Sequence, residues 1–267
     1  MTDVEFHQMR ERGFVRLPGL AVGELERLRR AVERLEGIAR GLTVSTGDFV
    51  LEAPGIGGWA AWQQGARGLA GVLRSVAHAH VHAPELDAVQ RSLELAEGPV
   101  ARAVGAPGTL VNAFLWAKPP VVGSEKPWHQ DMAFAPPGFD VEAHGVVTVW
   151  IALAPATRRN GCLEFIPGSH RLGLLPHTGD RERLPGEPPL KRAVEPHVPQ
   201  DRLPSGVEPV AVPLDPGSAV MFDGMVLHRS APNTTAALPR TAVSFVYRVP
   251  RPSWTRGPAP AAGGARR

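Results

Sequence analysis

At 267 residues, 43% hydrophobic and 21% charged, the chain can bury one sizeable core and has the composition of a soluble globular protein. No run of about 18 apolar residues occurs, which excludes a membrane-spanning helix, and the single cysteine, Cys162, excludes an intrachain disulfide. The basic excess, 29 Lys and Arg against 26 Asp and Glu, lies in the last 19 residues, which hold four arginines and no acid; the body is left with 25 against 26, which argues against a nucleic-acid surface.

The start, MTDVEFHQMRERGF, carries charge and no apolar stretch, so no secretory leader is expected. With one cysteine, a reducing, cytoplasmic setting fits. GFVRLPGL (Gly13–Leu20) reads as a short strand closed by Pro-Gly. Leu25, Leu28, Val32 and Leu35 then recur at helical spacing between charges, which predicts an amphipathic helix. Residues 43–70, Gly-rich with Trp59 and Trp62, read as loop and short strand beside a groove. Pro84–Gly105 has Leu86, Val89, Leu93, Val100 and Val104 on one face and predicts a second helix.

From Thr109 onward the texture is β. Strands are expected at Thr109–Lys118, over WHQDMAF (128–134) and at Gly145–Leu153. CLEFIPGSH follows an Asn160-Gly161 turn of the kind that joins hairpins. Residues 171–208 read as a long loop or lid. VEPVAVPL, SAVMFDGMVLH and Thr241–Val249 supply the last strands, and 250–267 read as a disordered tail. Helices first and about eight short strands after predict a mainly β chain with flanking helices around a double-stranded β-helix, a jelly-roll or cupin-like core. One domain is expected over 1–249, with a helical part (20–105) packed on the jelly roll (109–249).

The chemistry centres on EKPWHQDMAF (125–134). In a strand, His129 and Asp131 point to one face. Alone, the pair is a weak signal and a polar patch on an ordinary strand is the favoured reading. The flanking Trp128, Met132 and Phe134 argue that the segment is not solvated, and a buried carboxylate needs a cation. His228, 99 positions on, ends another strand. Two histidines and a carboxylate form the facial triad of non-heme Fe(II) oxygenases. The triplet His78, His80 and His82 reads as helical and not convergent on a metal. His170 reads as a packing residue at the pocket rim, and His144 and His177 as loop residues with a possible substrate contact. Cys162 reads as a buried small hydrophobe.

These stretches, with GFVRLPGL, WHQD, VWIALAPATRRNGCLEFIPGSHR, PLDPGSAVMFDGMVLHRSAPN and Arg240, resemble the phytanoyl-CoA dioxygenase family of Fe(II)/2-oxoglutarate-dependent oxygenases. The resemblance assigns His129, Asp131 and His228 to iron, and Arg240 with Ser230 to the distal carboxylate of 2-oxoglutarate. A guanidinium suits that carboxylate because it donates two parallel hydrogen bonds. Arg248 is the rival anchor, on the same strand face but about 25 Å along, too far to share the site. By family position Gln130 and Lys118 are co-substrate or supporting groups, and Trp150 a pocket wall. Phe134, Trp59, Trp62 and Arg171 are the substrate candidates.

The implied reaction consumes O2 and 2-oxoglutarate, releases succinate and CO2, and hydroxylates an unactivated C–H bond of a small molecule or biosynthetic intermediate. Related outcomes are desaturation or ring formation. Asp131 fills the place a halide would need, which argues against halogenation. From other classes, a cupin-type isomerase or hydrolase, or a non-catalytic metal-binding jelly roll, would have no use for Arg240 and Ser230.

Overall fold

The computed structural model describes residues 2–53, 68–178 and 196–252. Trp59, Trp62 and residues 253–267 of the tail expected to be disordered over 250–267 lie outside the described residues; Pro250 belongs instead to the last strand.

The chain opens with a helix that the sequence reading missed, α1 (Asp3–Arg12). Thr2 caps it reciprocally with Glu5, and Gly13 ends it in the left-handed region at φ 81°. β1 (Phe14–Leu17) follows, then α2 (Val22–Ala39), which buries Leu28, Ala31, Val32, Leu35 and Ala39 as its spacing predicts. Next come β2 (Phe49–Leu51), β3 (Leu73–Val76) and a single helical turn, α3 (Ala79–His82). The helix expected over 84–105 is broken into α4 (Glu85–Ser92), a π-helical turn at Ala96–Val100 and α5 (Ala101–Val104). The break falls at Leu93–Leu95, where Glu94 takes φ 48°; Pro99 then accounts for the π turn, since it lacks an N–H and crowds the preceding turn, and Val100 N–H reaches back to the Leu95 carbonyl (3.1 Å).

The β region holds β4 (Thr109–Lys118), β5 (Lys126–His129), β6 (His144–Ala152), β7 (Leu163–Phe165), β8 (Val210–Val212), β9 (Ala219–Asp223), β10 (His228–Ser230) and β11 (Arg240–Pro250). Antiparallel pairing builds two facing sheets, ordered β1-β9-β6-β11-β4-β3-β2 and β5-β10-β7-β8. This is the double-stranded β-helix. Two sequence expectations need correction. The Asn160-Gly161 turn does not close a hairpin, because β6 and β7 lie in different sheets. Asn160 instead caps a 3-10 turn reciprocally with Thr157, and the chain crosses over there. The strand expected over 128–134 stops at His129, and a 3-10 turn spans Asp131–Phe134.

The large sheet has two working faces. On β11, Val243, Phe245, Tyr247 and Val249 join the core shared with the helices, while Ala242 joins the core between the sheets. This period-2 alternation sends Arg240, Ser244, Val246 and Arg248 to the inner face as well. A cavity of about 660 Å³ opens between the sheets, lined from both. Among the described residues no helix is long and apolar enough to cross a membrane.

Candidate metal centre and co-substrate pocket

His129 and His228 are register partners on β5 and β10. Their Nε2 atoms both lie 3.5 Å from Asp131 Oδ1. Each ring's Nδ1 faces a carbonyl two residues earlier, Pro127 for His129 (2.8 Å) and Val226 for His228 (3.1 Å). Donation from Nδ1–H fixes the tautomer that turns both Nε2 lone pairs toward the carboxylate. Thr148, on β6, donates to the other Asp131 oxygen (2.8 Å). Among the described residues, these three are the group of histidine and acidic side chains able to hold a metal ion.

The electrostatics favour the ligand form of each group. Burial, helped by His228 and Lys126, brings His129 down to about 3, so its imidazole is neutral at pH 7. Burial likewise lowers His228. Burial acts to raise Asp131, but His228, His129 and the Thr148 hydrogen bond outweigh it and hold the carboxyl well below its usual range. His129 Nε2 is buried without a hydrogen-bond partner, as an atom awaiting a cation would be. Two neutral imidazoles and a carboxylate on one spot, with cavity on the open side, fit a divalent iron.

Asp131 reaches this spot because the chain turns sharply after His129. Met132 N–H donates to the Gly224 carbonyl (3.0 Å) in the turn before β10. Gln130 locks the turn: its Nε2 donates to Met225 and Gly173 carbonyls (2.7 and 2.8 Å) and its Oε1 accepts from Leu175 N–H (2.7 Å). Fully buried and bonded away from the cavity, Gln130 is a brace, which corrects its expected co-substrate role.

Arg240 starts β11, 3% exposed, with its guanidinium 5.6 Å from the Trp150 ring centroid. Its Nε and Nη1 are buried with no hydrogen-bond partner among the described residues. Burial, helped by Arg74, lowers Arg240 to about 9, still protonated at neutral pH. A buried guanidinium with idle donors is costly unless an anion completes it. Ser230 lines the cavity two residues after His228. Lys118, opposite Arg240 on β4, donates to the Ser230 and Ala231 carbonyls (3.0 and 2.6 Å) and so braces the strand that carries His228. Trp150 walls the pocket as expected.

Phe134 lines the cavity, edge-on to His129 at 5.7 Å between centroids. Arg171 does not line it: exposed, it binds the Arg10 carbonyl (2.9 Å) and Glu11 (2.8 Å) on α1, which corrects its placement among the substrate residues. His177 accepts from Gln130 N–H (3.1 Å) and His144 sits beside Phe139, so neither is a cavity residue. His170 packs under Gly13 and bonds the Arg10 carbonyl. His78 and His82 share Asp48 (2.9 and 2.7 Å) and do not form a metal cluster. Thr148 was missed by the sequence reading, because its contact with Asp131 runs from β6 of one sheet to the turn after β5 of the other.

A model of the phytanoyl-CoA dioxygenase (PhyH) family matches residues 9–242. The chain belongs to the phytanoyl-CoA dioxygenase (PhyH) family. This PhyH chain is 30% identical over 156 residues to phytanoyl-CoA dioxygenase domain-containing protein 1 of Danio rerio, covering 58% of this chain and 47% of that one. It is 34% identical over 122 residues to L-proline trans-4-hydroxylase of Streptomyces griseoviridis, covering 43% and 45%. The chain thus spans less than half the length of the curated relatives it matches. Among solved structures, EvdO2 of Micromonospora carbonacea var. aurantiaca, complexed with 2-oxoglutarate, superposes at TM-score 0.65 with 26% identity, covering 94% of this chain and 93% of that one. The PhyH chain is therefore a member of the iron- and 2-oxoglutarate-dependent oxygenases by sequence and by fold.

Proposed function

We propose that this chain uses Fe(II), 2-oxoglutarate and O2 to hydroxylate an unactivated C–H bond of a small molecule or biosynthetic intermediate. Per turnover, one oxygen atom of O2 enters the substrate as hydroxyl and the other enters succinate, with CO2 released. The observation that carries this reading is the pairing of two neutral imidazoles and a carboxylate, His129, His228 and Asp131, with the buried Arg240 in one cavity.

His129, Asp131 and His228 would hold the iron, with their Nδ1 and Thr148 hydrogen bonds keeping the donors oriented. When bound, iron with 2-oxoglutarate supplies the oxidising power that no side chain has. Arg240 would take the distal carboxylate of 2-oxoglutarate, supplying the dicarboxylate selectivity that a cupin-type isomerase or hydrolase does not need. Ser230 is the second donor proposed for that carboxylate. Trp150 and Phe134 keep water from the reacting end of the cavity. Support for hydroxylation comes from Asp131, whose carboxylate occupies the ligand position a halide would take, and from similarity to a proline hydroxylase.

The test is succinate formation by anaerobically iron-loaded protein given O2, 2-oxoglutarate and a panel of small molecules. Succinate that requires both Fe(II) and 2-oxoglutarate, with a product 16 Da heavier than its substrate, supports the reading. Iron-loaded protein that neither binds 2-oxoglutarate nor forms succinate sinks it.

A further inference from the structure

The cavity continues past the metal cluster to a second arginine. Thr148, which holds Asp131, is the register partner of Val246 on β11. Arg240 lies six residues before Val246 and Arg248 two residues after it, so the metal cluster falls between them. Both arginines line the one cavity. The strand length that separates them, taken in the sequence reading to keep Arg248 out of the site, is the length of the cavity itself.

Arg248 is exposed, at the outer end of the cavity, and the sheet face it sits on follows from pairing. Its register partner on β6 is Val146, a lining residue, and alternation puts it on the face of Val246 and Ser244. A bulge between Val246 and Tyr247 leaves Val111 of β4 without a register partner, and Val111 and Asn112 both line this end. Around the stretch between the metal cluster and Arg248 the cavity has Phe134, Pro136, Phe139, Val146 and Val246 as apolar lining, with Asn112 the polar side chain opposite Val246.

Charge distinguishes Arg248 from the other lining cations. Arg74 is tied to Glu52 and the Glu125 carbonyl, Lys118 to two carbonyls, and Arg229 to Glu164. Lys126 lies over the rings of Trp116 and Phe134. Arg240 answers to the co-substrate. Arg248 has no hydrogen-bond or ion-pair partner among the described residues, and the lone carboxylate lining the cavity is Asp131, which is committed to the metal cluster.

We propose that Arg248 determines substrate specificity by binding a carboxylate at the outer end of the cavity, so that the substrate is an amphiphile with an apolar body and one anionic end. This rests on the reading above, which gives the inner end to 2-oxoglutarate. Val246 lies about 7 Å along β11 from Arg248, so the oxidised carbon sits several bonds away from the carboxylate. A guanidinium can grip a carboxylate or a phosphate with two parallel hydrogen bonds, so the proposal commits to the carboxylate and the test sets the two against each other.

The test is calorimetric binding of decanoate, decan-1-ol and decyl phosphate to the full chain loaded anaerobically with Fe(II) and saturated with 2-oxoglutarate. Wild type is expected to bind decanoate about 10-fold more tightly than decan-1-ol. Arg248→Gln should erase that preference and Arg248→Lys should keep part of it, with melting temperature unchanged. Equal affinity for acid and alcohol, no binding of decanoate, tighter binding of decyl phosphate, or an undiminished preference in Arg248→Gln would each overturn the proposal. The 2-oxoglutarate titration on the same protein separates the two readings. If it binds and the Arg248 results fail, only the anchor is wrong; if it does not bind, the reading beneath is wrong.

Discussion

His129 and His228 face each other across one antiparallel rung, their ring centroids 4.0 Å apart. They lie 99 positions apart in sequence, yet a single strand pair brings their Nε2 atoms to one carboxylate oxygen. The metal cluster is thus as rigid as the pairing of β5 with β10, and Lys118 and Gln130 reinforce that pairing from behind.

Thr148→Val removes the hydrogen bond to Asp131 Oδ2 while keeping shape. Metal affinity should fall by roughly 10- to 100-fold, the usual cost of losing a group that orients a ligand. Titration with Co(II), followed by its visible absorption, reads this directly. Unchanged affinity would mean that Thr148 does not orient the carboxylate.

Arg240→Gln should weaken 2-oxoglutarate by about 2–5 kcal/mol, roughly a 30-fold or greater rise in Kd. Fe(II) affinity should be preserved, because Arg240 makes no contact with the three ligands. Arg240→Lys should recover little, since an ammonium cannot present the planar fork. Calorimetry on the iron-loaded variants checks both parts.

Gly161→Ala tests the crossing between sheets. Gly161 sits at φ 86°, and a Cβ there would press on the Ala231 carbonyl oxygen and come 3.0 Å from Lys118 Cδ. The cost should be about 1–3 kcal/mol of stability, with melting lowered by roughly 2–4 °C per kcal/mol. Lys118 and Ala231 cannot retreat without disturbing the end of β10, so metal affinity should fall as well. A variant with wild-type melting temperature would contradict the geometry.

His170 makes stability depend on pH. Burial brings its folded value down to about 4, while unfolded it titrates near the ordinary 6.5. Below pH 6.5 the unfolded chain binds the proton first, so this contribution to stability is complete above that pH. It is lost as pH falls toward 4, by about 3 kcal/mol in all. Compared with wild type, His170→Gln should lose stability at pH 7.5 and lose progressively less toward pH 4.5. Denaturant unfolding at both pH values measures this difference, and a constant gap would refute the assignment.

The sequence by itself determined the elements whose pattern is local and the residues whose chemistry is rare. The buried stripe of α2 and the alternation of β11 follow from spacing alone, because helix and strand periods are fixed by backbone geometry. His129, Asp131 and His228 stood out as two histidines and a carboxylate, a set with few uses other than a metal, while Arg240 was named through the family resemblance. α1 escaped notice since its apolar face is weak and its capping box carries the signal.

Only tertiary structure decided which neighbours of those residues face the cavity. Strand alternation already turns Gln130 away from His129 and Asp131; what the fold supplied are the partners that make it a brace, the Met225 and Gly173 carbonyls and Leu175 N–H. Asn160-Gly161 carries a hairpin signal but joins two sheets, since the pairing partners of β6 and β7 come from distant parts of the chain. Arg248 is eight residues from Arg240 and shares its cavity, because the sheet behind the metal cluster is the cavity wall along its full length. Distance along a strand can be read from sequence; the depth of the space it borders depends on how the second sheet closes over it.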